Sequence, residues 1–256
     1  MSAPEITDRS RCRILGIDFF TGTAQGAVDI ALDGGLVVVP SAPVLLAMVN
    51  DPYTGEALLN SDLAITDSGL MVLLWRFIKG EKVRRLSGLE YLKVLLAEPS
   101  LRAPGALFWV MPSVATMEKT LPWLQQQGFP TTAEDCYLAP RYGAGRVNDP
   151  ALLEIINARR PAHVIMAIGG GVQEKLAYSL KVGAGYRPGL HCTGAAIGFL
   201  SGDQAHIPDW ADRFYLGWLF RCLQAPGQFV PRYWKARKLI PLVLKYRERS
   251  PAAKLP

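Results

Sequence analysis

A lone carboxylate, Asp67, follows the apolar run Leu63 to Thr66 and stands two residues before Gly69, where a helical pattern begins. A carboxylate at such a junction lies beside free backbone amides at the mouth of a cleft, where it can act as a general base. The same position suits helix capping, because Asp is a favoured N-cap and Ser68 can share that duty. A second junction carries Gly169-Gly170-Gly171, followed by Gln173 and Glu174 in the first helical turn. Glycine there lets the backbone approach a diphosphate, and the helix N-terminus adds partial positive charge. The full Gly-x-Gly-x-x-Gly spacing is missing, so a tight turn explains the glycines equally well, and exposed Gln and Glu are ordinary at a helix start. A third junction is Val39-Pro40-Ser41-Ala42. Arg84 and Arg85, after Lys79 and Lys82, form a basic stretch that suits either forked hydrogen bonds to phosphate or a solvated face.

Elements must position these residues. Short runs rich in Val, Ile or Leu predict strands over Arg13 to Ile17, Leu36 to Val39, Leu63 to Thr66, Ala106 to Val110 and His163 to Ile168. Helical periodicity predicts helices over Ala42 to Val49, Gly69 to Ile78, Leu89 to Ala97, Ala115 to Gln127, Ala151 to Ala158 and Val172 to Leu180. Ser113 is a candidate N-cap and Gly128 a helix stop. Alternation of this kind predicts an α/β fold, Rossmann-like, with a mainly parallel sheet flanked by helices. Ligands of such sheets settle beyond the carboxyl ends of the strands, so the junctions are expected on one rim.

Half of the 256 residues are hydrophobic and a fifth are charged, as in a packed globule. Ser201 to Pro208 reads as a linker, dividing an α/β core over 1–204 from a basic, aromatic helical appendage over 205–256. Ten Lys or Arg and one acid lie beyond residue 212, a net +9 within a chain of net charge +6, so the preceding part is slightly acidic. Interleaved with Trp234 and other aromatics, the cations Arg221, Arg232, Lys235, Arg237 and Lys238 suit an anionic bilayer surface. A helix packing its aromatic face on the core and leaving its charges in water suits them too. No nucleic-acid module is recognisable, and no nucleic acid is expected as partner. No run is long enough to span a bilayer and the first residues do not resemble a signal peptide, so a cytoplasmic protein on the inner face of the membrane is expected. Cys12, Cys136, Cys192 and Cys222 are scattered, and His163, His191 and His206 never fall at ligand spacing, so reduced thiols and no metal site are expected.

The order of these pieces resembles the WecG/TagA/CpsF glycosyltransferases, a bacterial family that builds teichoic-acid linkage units and other surface polysaccharides. The likeness runs through Ile14-Leu15-Gly16-Ile17-Asp18-Phe19, Val37-Val38-Val39-Pro40-Ser41-Ala42 and Ser61-Asp62-Leu63-Ala64-Ile65-Thr66-Asp67-Ser68-Gly69. It continues through Arg85-Leu86-Ser87-Gly88, similar to the family's Arg-x-x-Gly, and Gly169 to Glu174, similar to its Gly-x-Pro-x-Gln-Glu. Gly194 to Gly202, Pro208-Asp209-Trp210, Trp218 to Arg221, Pro226 and Arg232-Tyr233 resemble the family's end.

The resemblance implies an inverting transfer, without metal or other cofactor, from a UDP-sugar to an undecaprenyl-diphosphate-linked acceptor. Asp67 is then the base. Ser41, Ser68, Gly69, Arg85, Gly169, Gly170, Gly171, Gln173, Glu174 and Gly194 bind the donor, and self-association is permitted. The chain departs from the family pattern at Val39 and Ser41, where Thr and Asn are typical. It departs again at Ile197-Gly198 for Phe-Asp, Gly217 for Glu and Gly171 for Pro. A donor other than UDP-N-acetylmannosamine is the expectation, since an apolar Val39 cannot hydrogen-bond as Thr would. A catalytically degenerate nucleotide-sugar-binding regulator of the same fold is the alternative.

Overall fold

Four of the five apolar runs, over 36–39, 63–66, 106–110 and 163–168, become strands that are short and buried. The computed structural model describes residues 11–81, 83–203, 219, 222–223 and 226–255. Its strands are β1 (Arg11–Ile14), β2 (Ile17–Phe20), β3 (Gly35–Val38), β4 (Leu63–Ile65), β5 (Leu107–Met111), β6 (Cys136–Leu138), β7 (His163–Met166) and β8 (Gly189–Cys192). They form one eight-stranded sheet in the order β1-β2-β4-β3-β8-β7-β5-β6. Only β1 and β2 pair antiparallel, and every other pair is parallel. The fold is α/β and Rossmann-like, as the alternation predicts.

Helices cover both faces: α1 (Ala24–Ala31), α2 (Ala42–Ala47), α3 (Pro52–Leu59), α4 (Gly69–Lys79), α5 (Gly88–Ala97), α6 (Val114–Gln126), α7 (Pro150–Arg159), α8 (Val172–Gly183), α9 (Ala196–Leu200), α10 (Pro226–Ala236) and α11 (Leu239–Tyr246). Alternate residues of β3 divide the core. Leu36 and Val38 join the layer of α2, α4, α7, α8 and α11, whereas Val37 and Val39 join the layer of α1, α5, α6 and α9. Ser113 caps α6 by accepting from the Thr116 amide, and Gly128 takes the left-handed conformation after it, with φ 82°.

The single strand expected over Arg13 to Ile17 is instead the end of β1, a turn at Leu15 and Gly16, and the start of β2. Leu15 and Gly16 have φ of 53° and 81°, and the chain reverses between β1 and β2. Carbonyls of Arg247 and Glu248 accept from the Leu15 and Gly16 amides at 2.7 and 2.9 Å. The elements β6, β8, α1 and α3 were not expected from sequence. Toward the carboxyl end, Leu239 and Val243 of α11 are fully buried in the main core. There α11 lies against α4 and α2, and α10 against α2.

Candidate active site

Parallel β4, β3, β8 and β7 are consecutive in the sheet, so their carboxyl ends share one rim. The chain continues from β3 to β4 on one side, while β8 and β7 lie on the other, and the crevice above such a divergence is where doubly wound sheets hold ligands. All three junctions meet there.

At the end of β4, Thr66 is fully buried, and its hydroxyl donates to the Arg84 carbonyl at 2.7 Å while accepting from the Leu86 amide at 3.2 Å. This pins residues 84–86 beside Asp67. The duty of capping α4 falls to Ser68, whose side chain accepts from the Met71 amide at 3.4 Å. Asp67 is therefore not the cap. Its Oδ1 accepts from the amide of Gly88, the first residue of α5, at 3.1 Å. The Arg85 Nε donates to the Asp67 carbonyl at 2.9 Å, and an Arg85 terminal nitrogen lies 3.8 Å from Oδ1. The Asp67 side chain keeps 28% of its exposure, so the carboxylate remains open to solvent while anchored at one oxygen.

Gly88 stands close to β3 and β8. A Cβ on it would lie 3.1 Å from Val39 Cγ1 and 3.9 Å from the Thr193 carbonyl, which explains why the position suits glycine. Next to Thr193, the Gly194 amide donates to Gln173 Oε1 at 2.9 Å, and Gln173 Nε2 donates to the Cys192 carbonyl at 3.2 Å. Gln173 Nε2 also reaches Glu174 Oε1 at 3.0 Å, while Glu174 Oε2 accepts from the Gly171 amide. A continuous line of contacts thus joins Asp67, Gly88, Thr193, Gly194, Gln173 and Glu174 to the glycine turn.

The turn has the conformation its residues require. Gly171 precedes α8 with φ 89°, where a side chain would be strained, and open space surrounds Gly169 and Gly171. A Cβ on Gly170 would lie 2.8 Å from Val44 Cγ2 of α2, so the turn sits against the helix that follows Ser41. Ser41 is the residue before α2, and its hydroxyl makes no capping bond.

Gln173 and Glu174, which the resemblance places at the donor and which an ordinary helix start would leave exposed, are buried. Burial pushes the Glu174 carboxyl above its ordinary value, against the pull of the Gln173 and Gly171 hydrogen bonds and of Lys175. The ammonium of Lys175 is held by Asp51 at 2.9 Å and by the Gly145 carbonyl at 2.8 Å. These hydrogen bonds brace the turn. Of the basic stretch, Lys79 pairs with Glu248 and Arg84 with Glu90, so Arg85 is its member at the rim. Lys82 lies outside the described residues.

Below the rim, Tyr91 Oη lies 2.7 Å from His191 Nδ1, and His191 Nε2 lies 3.1 Å from His163 Nδ1. Burial depresses both histidines, His191 the more, with His163 adding to it. They are structural, as their isolation in the sequence suggests. Among the described residues no three His, Cys, Asp or Glu side chains cluster as metal ligands, and no helix is long and apolar enough to cross a membrane.

The cationic tail is partly in view. Arg221 lies outside the described residues, and of Arg232 only the place in α10 is described. Trp234, Lys235, Arg237 and Lys238 are exposed, with the Arg237 guanidinium 3.7 Å from the Trp234 ring centroid. Sequence reasoning missed Thr66, the Gly88 amide and Thr193. Of these, Thr66 and Gly88 stood in quoted motifs, and nothing local marks Thr193.

A comparison with curated proteins finds no match. The family model described as the glycosyl transferase WecG/TagA/CpsF family matches residues 12–253, nearly the whole chain. With the rim constellation assembled along the same span, the chain belongs to the WecG/TagA/CpsF family of glycosyltransferases.

Proposed function

We propose that this glycosyltransferase moves a sugar, with inversion and without a metal, from a UDP-sugar to an undecaprenyl-diphosphate-linked acceptor in surface or exopolysaccharide synthesis. The acceptor hydroxyl oxygen attacks the anomeric carbon as the bond to the diphosphate breaks. The electron pair leaves with UDP, and the hydroxyl proton passes to Asp67. Amides of Gly169, Gly170 and Gly171, the N-terminus of α8 and Arg85 steady the departing diphosphate. In this reading Ser41, Ser68, Gly69 and Gly194 border the donor, while Gln173 and Glu174 act by holding the glycine turn in place.

The observation that carries the reading is the state of Asp67. Ser68 takes the capping duty, and the carboxylate stays partly exposed, fixed by Gly88 on the rim that also bears the glycine turn. Val39, buried at the end of β3, favours a donor other than UDP-N-acetylmannosamine. The exposed cations and Trp234 of the tail, next to α2, support docking on the anionic inner face of the membrane, where a lipid-linked acceptor resides.

Asp67→Asn tests the assignment, since an amide oxygen still accepts from Gly88 but takes up no proton. Transfer from a panel of UDP-sugars to a polyprenyl-diphosphate glycan is expected to fall about 10²–10⁴-fold with unchanged melting temperature and donor binding. Full activity of the variant overturns the role of Asp67. Donor binding by the unaltered protein without transfer to any acceptor favours the regulator instead.

A further inference from the structure

Thr193 follows β8 on the site rim, and its hydroxyl is buried with no hydrogen-bond partner among the described residues. Buried hydroxyls are ordinarily bonded, and an orphaned one is costly, so its retention calls for a partner that arrives. The register places it beside Val39, because Val38 pairs with Cys192 in the neighbouring strand β3. Two residues beyond Val39, Ser41 presents a second hydroxyl that makes no capping bond. Elsewhere Thr23, Ser68, Ser87 and Ser113 each close the first turn of their helix. Adjacent strand ends therefore carry hydroxyls without a backbone duty.

The position also decides which part of a ligand is met. Thr193 lies between Gly88, which anchors Asp67, and Gly194, which is bound through Gln173 to the glycine turn. Between a base and a diphosphate cradle lies the transferred sugar. Its hydroxyls donate and accept as Thr does, whereas a diphosphate only accepts.

We infer that Thr193 determines donor-sugar specificity, its hydroxyl bonding a hydroxyl of the sugar of the bound UDP-sugar. This rests on the transferase reading above. Thr193→Val keeps the shape and removes the polar atom. The ligand-free variant is expected to melt no lower than the unaltered protein, since an orphaned group is lost. Its melting-point response to UDP should persist, while its affinity for the preferred UDP-sugar, from UDP-glucose, UDP-galactose, UDP-N-acetylglucosamine and UDP-N-acetylmannosamine, drops about 10-fold. Thr193→Ser should restore it. A ligand-free Thr193→Val melting several degrees lower makes the hydroxyl structural and overturns the inference, as does an undiminished response to that UDP-sugar. An unaltered protein that answers to neither UDP nor any of the sugars sinks the transferase reading itself, and this inference with it.

Discussion

Asp67 shows how much chemistry single residues disclose. Its junction between strand and helix pointed to the rim, yet Asp67 read as either a base or a cap, with Ser68 able to share the capping, until the Ser68 bond to Met71 divided the roles. Gln173 and Glu174 were legible as neighbours of the turn but not as its buried brace, because the partners of Gln173 at Cys192 and Gly194 lie about twenty residues away in sequence. Burial was equally hidden for the histidines, and it has a measurable effect. His163 and His191 are held neutral by desolvation in the folded chain, whereas in the unfolded chain they charge below about pH 6.5. The unfolded state then binds more protons, so stability is present above that pH and is lost as pH falls through it. Unfolding free energies from urea titration should fall as the pH is lowered from about 7.5 to about 5.5. His191→Gln should flatten the slope. Equal slopes in the two proteins would assign the effect elsewhere.

Elements were legible where local pattern and packing agree. The helices α4, α5, α6 and α8 fall within a few residues of expectation, and Ser113 and Gly128 bound α6 as their chemistry predicts. Strand β8 was missed because Gly-Leu-His-Cys has little intrinsic preference for extended structure, and pairing with β3 on one side and β7 on the other imposes it. The β1–β2 turn was missed for a different reason. A leucine with positive φ is no turn signal, and the carbonyls that hold it come from the far end of the chain. The same logic applies to α11, whose composition reads as part of a basic tail although Leu239 and Val243 are core residues. Leu239→Ala should cost about 2–5 kcal/mol in chemical denaturation. Leu244→Ala, at a half-exposed position of the same helix, should change stability by less than about 0.5 kcal/mol. Comparable losses at the two positions would contradict the packing of α11.

Across the whole molecule, the basic tail and the rim are physically connected. α2 begins at the rim beside Ser41 and carries α10 against it, while α4 begins beside Asp67 and carries α11. Cations presented on α10 thus lie next to helices that start in the site. Because α11 is built into the core, deletion of the tail would confound docking with unfolding, and surface charge is the cleaner probe. Replacing Lys235, Arg237 and Lys238 together by Glu should abolish co-sedimentation with phosphatidylserine vesicles, each cation near such a surface contributing about 1 kcal/mol, and leave the melting temperature within a few degrees. Unchanged co-sedimentation would remove these residues from the docking surface.

The clasp of Arg247 and Glu248 on the Leu15–Gly16 turn also sets an order of events during synthesis. A ribosome delivers the hairpin before its fastener, with α10 emerging in between. Folding of the earlier strands can proceed from the amino-terminal side, but the final seam stays unzipped until α11 is released. During that interval the place beside α4 that Leu239 and Val243 fill in the folded chain stays open.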